Sequence, residues 1–312
     1  MAEITAKMVS QLREETGAGM MDCKKALTDA NGDMEEARLI LRRKGQATAE
    51  KRGERQASEG VVDAYVFQSG SVGVLLELNC ETDFVARNDD FRTLAHDLAQ
   101  QVADAEKPDS YPTVDALLAA RSTTEGAENK TVSELITEAV GRIGEKIAVS
   151  RFTRIDAAPE TGAVGSYIHR TDFKTGVLVE VKAEGKPKSL DPLVTLANEV
   201  ALHVAAMRPS YVSRDQVPAD IVAREREVAQ AKADADPSFA NKPEAARTAM
   251  IEGQVRKYLE QTVLLEQGFA RDPSGKQKVS ALVDAVGKDA GVPLRITRFV
   301  RYRVGETAGK EA

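Results

Sequence analysis

Between residues 79 and 91 the chain reads NCETDFVARNDDF. Phe84 stands there among polar residues, after a strand-like apolar run has ended and before a helical stripe begins. Aromatics are only 4% of the chain and Trp is absent, so the placement is unusual. A phenyl ring beside the Asp83 carboxylate suits recognition better than bond-making. Buried in a partner's pocket, such a ring contributes roughly 1.5–3 kcal/mol, enough for a binding hot spot. The alternative is that Phe84 and Val85 fold back into the local core. Other reactive side chains do not converge: His96, His169 and His203 are scattered, and Cys23 and Cys80 stand alone. No GxxxxGK[ST], GxGxxG or HExxH pattern occurs. A zinc site or a Cys–His nucleophile therefore has little support. The expectation is a binding protein rather than an enzyme, with no metal and no cofactor of its own.

The elements that must position this segment follow from pattern and composition. A chain of 312 residues, 42% hydrophobic and 29% charged, can form two or three domains with a sizeable core. Its formal net charge of −6 argues against general nucleic-acid binding, which needs a basic face. The basic stretch RRKGQATAEKRGER at 42–55 is interrupted by Glu50 and Glu54 and reads as a solvated helix. RNA binding through it remains an alternative, one that added salt would abolish. The start, MAEITAKMVSQLREE, has no apolar h-region, and no run approaches about 18 apolar residues. With unpaired cysteines as well, a reducing, cytoplasmic setting is expected.

Residues 4–45 predict three short helices. Thr5 caps the first, over Met8, Val9 and Leu12. The loop TGAG leads to a second carrying Met20, Cys23, Leu27 and Ala30 on one face. Asp33 and Glu36 form a D-x-x-E capping box for the third, whose inner face is Ala37, Ile40 and Leu41. The polar segment KGQATAEKRGERQASEG then predicts a linker.

Next comes a duplication. Residues 59–78 read as strand, QSGS turn, strand, and Phe91, Leu94, Ala95, Leu98, Ala99 and Val102 then form a helical stripe. Roughly a hundred residues on, 161–181 repeats the hairpin and Leu193, Leu196, Ala197, Val200, Ala201 and Val204 repeat the stripe. Tyr65 matches Tyr167, Gly73 matches Gly176 and Glu77 matches Glu180. Between second strand and helix, copy two has KAEGKPKSLDP where copy one has NCETDFVARNDD. Thr82, Asp83, Phe84 and Val85 are thus what one copy has beyond the shared scaffold. A second TDF, at 171–173, falls in the tip of the second hairpin, where a chance repeat or a rim contact is expected. Residues 131–143 add a helix and 145–155 a strand bridging the copies. Residues 215–235 and 243–262 predict two helices around DPSFANKP, with Ile221 and Val228 on one inner stripe and Ile251, Val255, Tyr258 and Thr262 on the other. Their narrow stripes suit a projecting antiparallel helical hairpin. A last helix at 280–291 and a strand at 293–304 follow, with Arg295, Arg298, Arg301 and Arg303 largely on the strand's solvent side. The class is α+β, with a three-helix module, two duplicated α/β-sandwich subdomains with antiparallel sheets, and that hairpin.

TGAGMMDCKKAL at 16–27, NCETDFVA at 79–86, the paired units and HVAAMRPSYVSRDQVP at 203–218 together closely resemble the bacterial elongation factor Ts family, over nearly the whole chain. The resemblance implies a guanine-nucleotide exchange factor for elongation factor Tu, the GTPase that carries aminoacyl-tRNA. It implies a ubiquitin-associated-like module at 1–55 docking on the GTPase domain, with Met20 a candidate contact. It implies core subdomains at 56–155 and at 156–216 with 263–305, a coiled-coil insertion at 217–262 and a polar tail at 306–312. Thr82, Asp83, Phe84 and Val85 would be the segment that displaces Mg²⁺ from the GTPase, and Tyr167 and His169 secondary contacts. Many relatives carry another helix after the last strand, where this chain has GETAGKEA. An adaptor for a ubiquitin fold or nascent chain, built on the first 45 residues, is the alternative from another class.

Overall fold

The computed structural model describes residues 3–235 and 242–306. Residues 236–241 of the expected DPSFANKP turn and 307–312 of the expected tail lie outside the described residues.

Three helices open the chain: α1 Ala6–Thr16, α2 Met20–Asp29 and α3 Met34–Arg52. Thr5 caps α1 by accepting the Met8 N–H at 3.3 Å. Asp33 caps α3 by accepting the N–H groups of Glu35 and Glu36 at 2.8 and 3.0 Å. Glu36 does not complete the expected box; its carboxylate lies 3.8 Å from Arg43. Val9, Leu12, Cys23, Ala26, Leu27 and Ala37 form the small core. Met20, placed on the inner face by spacing, is 58% exposed.

The expected linker is half helix. α3 runs on through Gly45 because that glycine meets Gly141 of α7 (Val132–Ile143). A Cβ on Gly141 would come within 2.8 Å of the Gly45 Cα, so the two helices cross at a distance that excludes a larger residue. This crossing seats the three-helix unit on the body.

The body contains β1 Glu59–Val66, β2 Val72–Cys80, α4 Asp83–Ala86, α5 Asp89–Asp104, α6 Val114–Ala119, α7 and β3 Ile147–Asp156. It continues with β4 Gly162–Ile168, β5 Thr175–Ala183, α8 Asp191–Met207, α9 Ala219–Asp234, α10 Glu244–Thr262, α11 Val279–Ala290 and β6 Leu294–Arg303. Two antiparallel sheets result, ordered β1-β2-β3 and β4-β5-β6. β3 is therefore the third strand of the first sheet, as β6 is of the second, rather than a strand shared between copies.

The sheets pack on each other and carry helices on their outer faces. Val74, Leu76 and Leu78 of β2 face α5 and α7, while Leu75 faces Val164 and Leu178 of the other sheet. With both faces covered, all nine residues of β2 are buried. The matched glycines interlock the copies: a Cβ on Gly73 would lie 2.5 Å from Cγ1 of Val164, and one on Gly176 would lie 2.6 Å from Cγ1 of Val62. Val62 and Val164 are themselves matched positions, so each copy inserts a valine over the other's glycine. Likewise Glu77 pairs with Arg151 at 2.8 Å and Glu180 with Arg298 at 2.9 Å, each at a strand irregularity.

α9 and α10 pair antiparallel, since Ile221 and Val222 pack with Tyr258 and Leu259 while Arg226 bonds Glu252 at 2.9 Å. Ala229, Val255 and Leu259 are buried, and Val228 is exposed, one position off the expected stripe. His203 of α8 is fully buried between Gln267, bonded at 2.9 Å, and the Ala270 N–H, which its Nδ1 accepts at 3.0 Å. That is a structural histidine.

Candidate partner-binding site

The segment that looked like a loop folds as the single helical turn α4. Thr82 has extended backbone and caps it, accepting the Val85 N–H at 3.4 Å. Asn88 then caps α5 by accepting the Asp90 N–H at 2.8 Å. Two caps six residues apart leave room for one turn only, and its sides have opposite fates. Ala86 is buried and Val85 packs partly against the core beneath α5. Phe84 points away and is 81% exposed. Of the two residues that could have folded inward, one does.

The second TDF sharpens the contrast. Phe173 lies at φ 55°, its carbonyl accepts the Val62 N–H at 2.7 Å, and its ring sits under the Arg92 guanidinium at 4.7 Å. It packs against the first copy's core. The same tripeptide thus staples the two copies together at one place and faces solvent at the other.

Two carboxylates hold the Phe84 turn from behind. Glu145 accepts the Thr82 N–H at 3.0 Å and the Thr82 hydroxyl at 2.7 Å. Glu81 accepts the Lys146 N–H at 2.7 Å, Arg52 at 2.6 Å and Arg55 at 3.0 Å. Burial by itself would raise the Glu81 pKa, but these three donors outweigh it and lower the carboxyl from 4.5 to about 2. Arg52 ends α3, so Glu81 ties the three-helix unit to the strand end that carries Phe84. A folded pKa below the ordinary value means this clasp contributes stability above about pH 4.5 and loses it as pH falls toward 2. Urea unfolding across that window is expected to show an acid limb that Glu81→Gln flattens. An identical limb in the variant would mean the clasp does not titrate as described.

Basic side chains of 42–55 are engaged in ion pairs: Arg42 with Glu134, Lys44 with Asp22, and Arg52 and Arg55 with Glu81. Asp83 is half-exposed, and its carboxylate pairs with Arg87 at 3.1 Å. Cys80 donates its S–H to the Thr82 carbonyl at 3.1 Å, and burial, with the Glu145 charge nearby, pushes its pKa up to about 12. It is an inert thiol.

Phe84 lines an open groove together with Val85, Asn88 and Asp90 on its own side of the chain and Arg13, Gly17, Arg142 and Ile143 from elsewhere. Gly17, at φ 65°, ends α1, and Met20 and the 75% exposed Met21 follow at the start of α2. These two exposed apolar side chains follow, within four residues in the chain, a glycine that lines the groove. Tyr167 and His169 bond each other at 3.2 Å and line a different groove, with Asp63, His96 and Phe173. Sequence reading missed Met21, Glu81 and Glu145. Glu145 had a signal, an acidic residue directly after the helix-ending Gly144, but nothing local marks its partner.

A family model described as Elongation factor TS matches residues 81–306. The chain belongs to the elongation factor Ts family. It is 45% identical to Elongation factor Ts of Nostoc sp. over 313 residues, covering 100% of this chain and 95% of that one. It is 41% identical to Elongation factor Ts of Clostridium perfringens over 308 residues, with 99% and 95% covered. For Elongation factor Ts of Rhodospirillum rubrum the identity is 41% over 315 residues, with 100% and 96% covered. These elongation factor Ts relatives span both copies and the three-helix unit. Among the described residues no helix is long and apolar enough to cross a membrane, and no cluster of three or more His, Cys, Asp and Glu side chains is placed to hold a metal ion.

Proposed function

We propose that this chain is a guanine-nucleotide exchange factor that binds elongation factor Tu in the cytoplasm and expels its GDP by inserting the Phe84 turn beside the nucleotide's Mg²⁺. Family membership supports the exchange role. The observation that carries the mechanism is a phenylalanine 81% exposed on a turn that is otherwise capped, packed and clasped. A mobile ring would lose conformational freedom on docking, whereas a held one presents its apolar surface in a fixed direction.

Mg²⁺ bridges nucleotide phosphates to a GTPase and requires near-ideal octahedral oxygen ligation. A ring wedged into an apolar pocket beside the ion shifts its ligands out of that geometry. Asp83, half-exposed and paired with Arg87, brings a carboxylate that competes with or misaligns the remaining ligands. Once the ion leaves, phosphate charge is poorly neutralised and GDP dissociates. Binding of factor and binding of nucleotide weaken each other by the same factor, so the chain speeds equilibration without choosing GTP over GDP. Thr82 and Val85 serve this by capping and seating the turn.

Residues 1–55 act as the ubiquitin-associated-like module that docks on the GTPase domain, with Met20 at its contact edge. The core subdomains, 56–155 and 156–216 with 263–305, carry the Phe84 turn and the Tyr167–His169 groove, and the latter makes a secondary contact. The hairpin 217–262 projects as an insertion.

Release of labelled GDP from elongation factor Tu, with and without this chain, tests the reading; equal rates would overturn it. Asp83→Ala is expected to cost less than removal of the ring, about three- to fivefold in stimulated release. That loss should vanish when free Mg²⁺ is chelated. A loss of the same size with and without Mg²⁺ would remove Asp83 from metal displacement.

A further inference from the structure

Resting on the exchange reading above, we propose that Glu145 is a positioning residue that sets the direction in which Phe84 meets the GTPase. A helix of four residues cannot hold itself, because the first turn fixes several dihedrals for a single hydrogen bond. The cap from the Thr82 hydroxyl to the Val85 N–H is long, 3.4 Å, and on its own would leave that hydroxyl free to rotate. Glu145 removes the freedom. One carboxylate oxygen accepts a hydrogen bond from the Thr82 hydroxyl at 2.7 Å, which turns a hydroxyl lone pair toward Val85, and the other accepts the Thr82 N–H at 3.0 Å. Both donors on Thr82 are therefore fixed by one side chain from a segment distant in sequence.

The segment that carries Glu145 is itself anchored. Gly144, at φ 81°, ends α7 in a left-handed conformation, and the next N–H after Glu145, that of Lys146, goes to Glu81 at 2.7 Å. Residues 81–82 and 145–146 thus hold each other reciprocally, one carboxylate from each side. Glu145 is half-buried behind the turn and is absent from the groove that Phe84 lines. It acts through Thr82.

The experiment uses the full chain, elongation factor Tu and labelled GDP, reading the maximal release rate at saturating factor separately from the half-saturating concentration. Glu145→Ala is expected to lower the maximal rate about tenfold and to move the half-saturating concentration less than about threefold, as expected when a contact group is misaimed rather than removed. Glu145→Gln is expected to fall between the Ala variant and the parent, about threefold below the parent, because its amide oxygen still accepts the Thr82 N–H while its NH₂ cannot accept the bond the hydroxyl donates. Should Glu145→Ala fail to fold, Thr82→Val, which keeps the N–H and loses the hydroxyl, is expected to show the same selective fall in maximal rate. A parental maximal rate in Glu145→Ala, or in Thr82→Val where that stands in, would overturn the positioning role and leave the exchange reading intact. Equal impairment of the Ala and Gln variants with a lowered melting temperature would also overturn it, in favour of a purely structural role. A parent chain that releases no GDP would remove both.

Discussion

Replacing Phe84 by alanine is expected to slow stimulated GDP release by about tenfold or more, a loss of about 1.4 kcal/mol or more at the transition state, while leaving the melting temperature of the free chain unchanged. The two halves of that expectation come from one fact. A ring 81% exposed in the free chain contributes little to the chain's own stability, so its loss falls within the ±0.5 kcal/mol or so usual for surface positions. Its apolar surface is available to be buried elsewhere, at roughly 1.5–3 kcal/mol for complete enclosure. The measurement is stimulated release at saturating factor, paired with thermal unfolding of each protein alone. Parental release by a folded Phe84→Ala variant would remove the wedge.

Phe91→Ala is expected to do the reverse. This ring, at the start of α5, is fully buried among Val74, Leu76, Leu94 and Leu98. Deleting a buried phenyl group loses its transfer free energy and leaves a cavity, at a cost of about 3–5 kcal/mol. Against a total stability of roughly 5–15 kcal/mol that is a large share. Urea unfolding should show a midpoint well below the parent's with an unchanged slope. A change under about 1 kcal/mol would mean that the core between α5 and its sheet closes over the cavity, contrary to close packing. The two variants together would separate two phenylalanines of one short segment, one serving the fold and the other, on the proposed reading, serving a partner.

Much of the fold was legible because its signals are periodic. Every residue of both helical stripes, from Phe91 to Val102 and from Leu193 to Val204, is buried. The internal match of Gly73 with Gly176 was visible in the sequence, but its cause was not. Only the packed sheets reveal that Val164 and Val62 occupy the space a side chain would need. Gly45 misled for a related reason: a glycine in a polar stretch reads as a breaker, yet here it is the crossing point with Gly141. α6 left no clear pattern because it is short and buries a single residue, Leu117.

The candidate site was legible as a difference between two copies, which isolated Thr82 to Val85 without showing which way each side chain points. Direction depends on partners far away in sequence. Glu145 reaches Thr82 across 63 positions, and Arg52 reaches Glu81 across 29. The sequence set the second TDF apart by its place in the hairpin tip, as a chance repeat or rim contact, but not as the packed staple it forms. Phe173 turns inward because the edge strand β1 offers it the Val62 N–H and Arg92 covers its ring. Phe84 has Val85 and Ala86 beside it to fill the inward space, and so remains outside.

The most direct measurement is a structure of this chain bound to nucleotide-free elongation factor Tu, read at a single side chain. The ring of Phe84 should be enclosed by GTPase side chains next to the vacated cation position, with its turn still held by Glu145 as in the free chain. A ring left facing solvent, or folded back onto its own core while nucleotide is absent, would contradict the account.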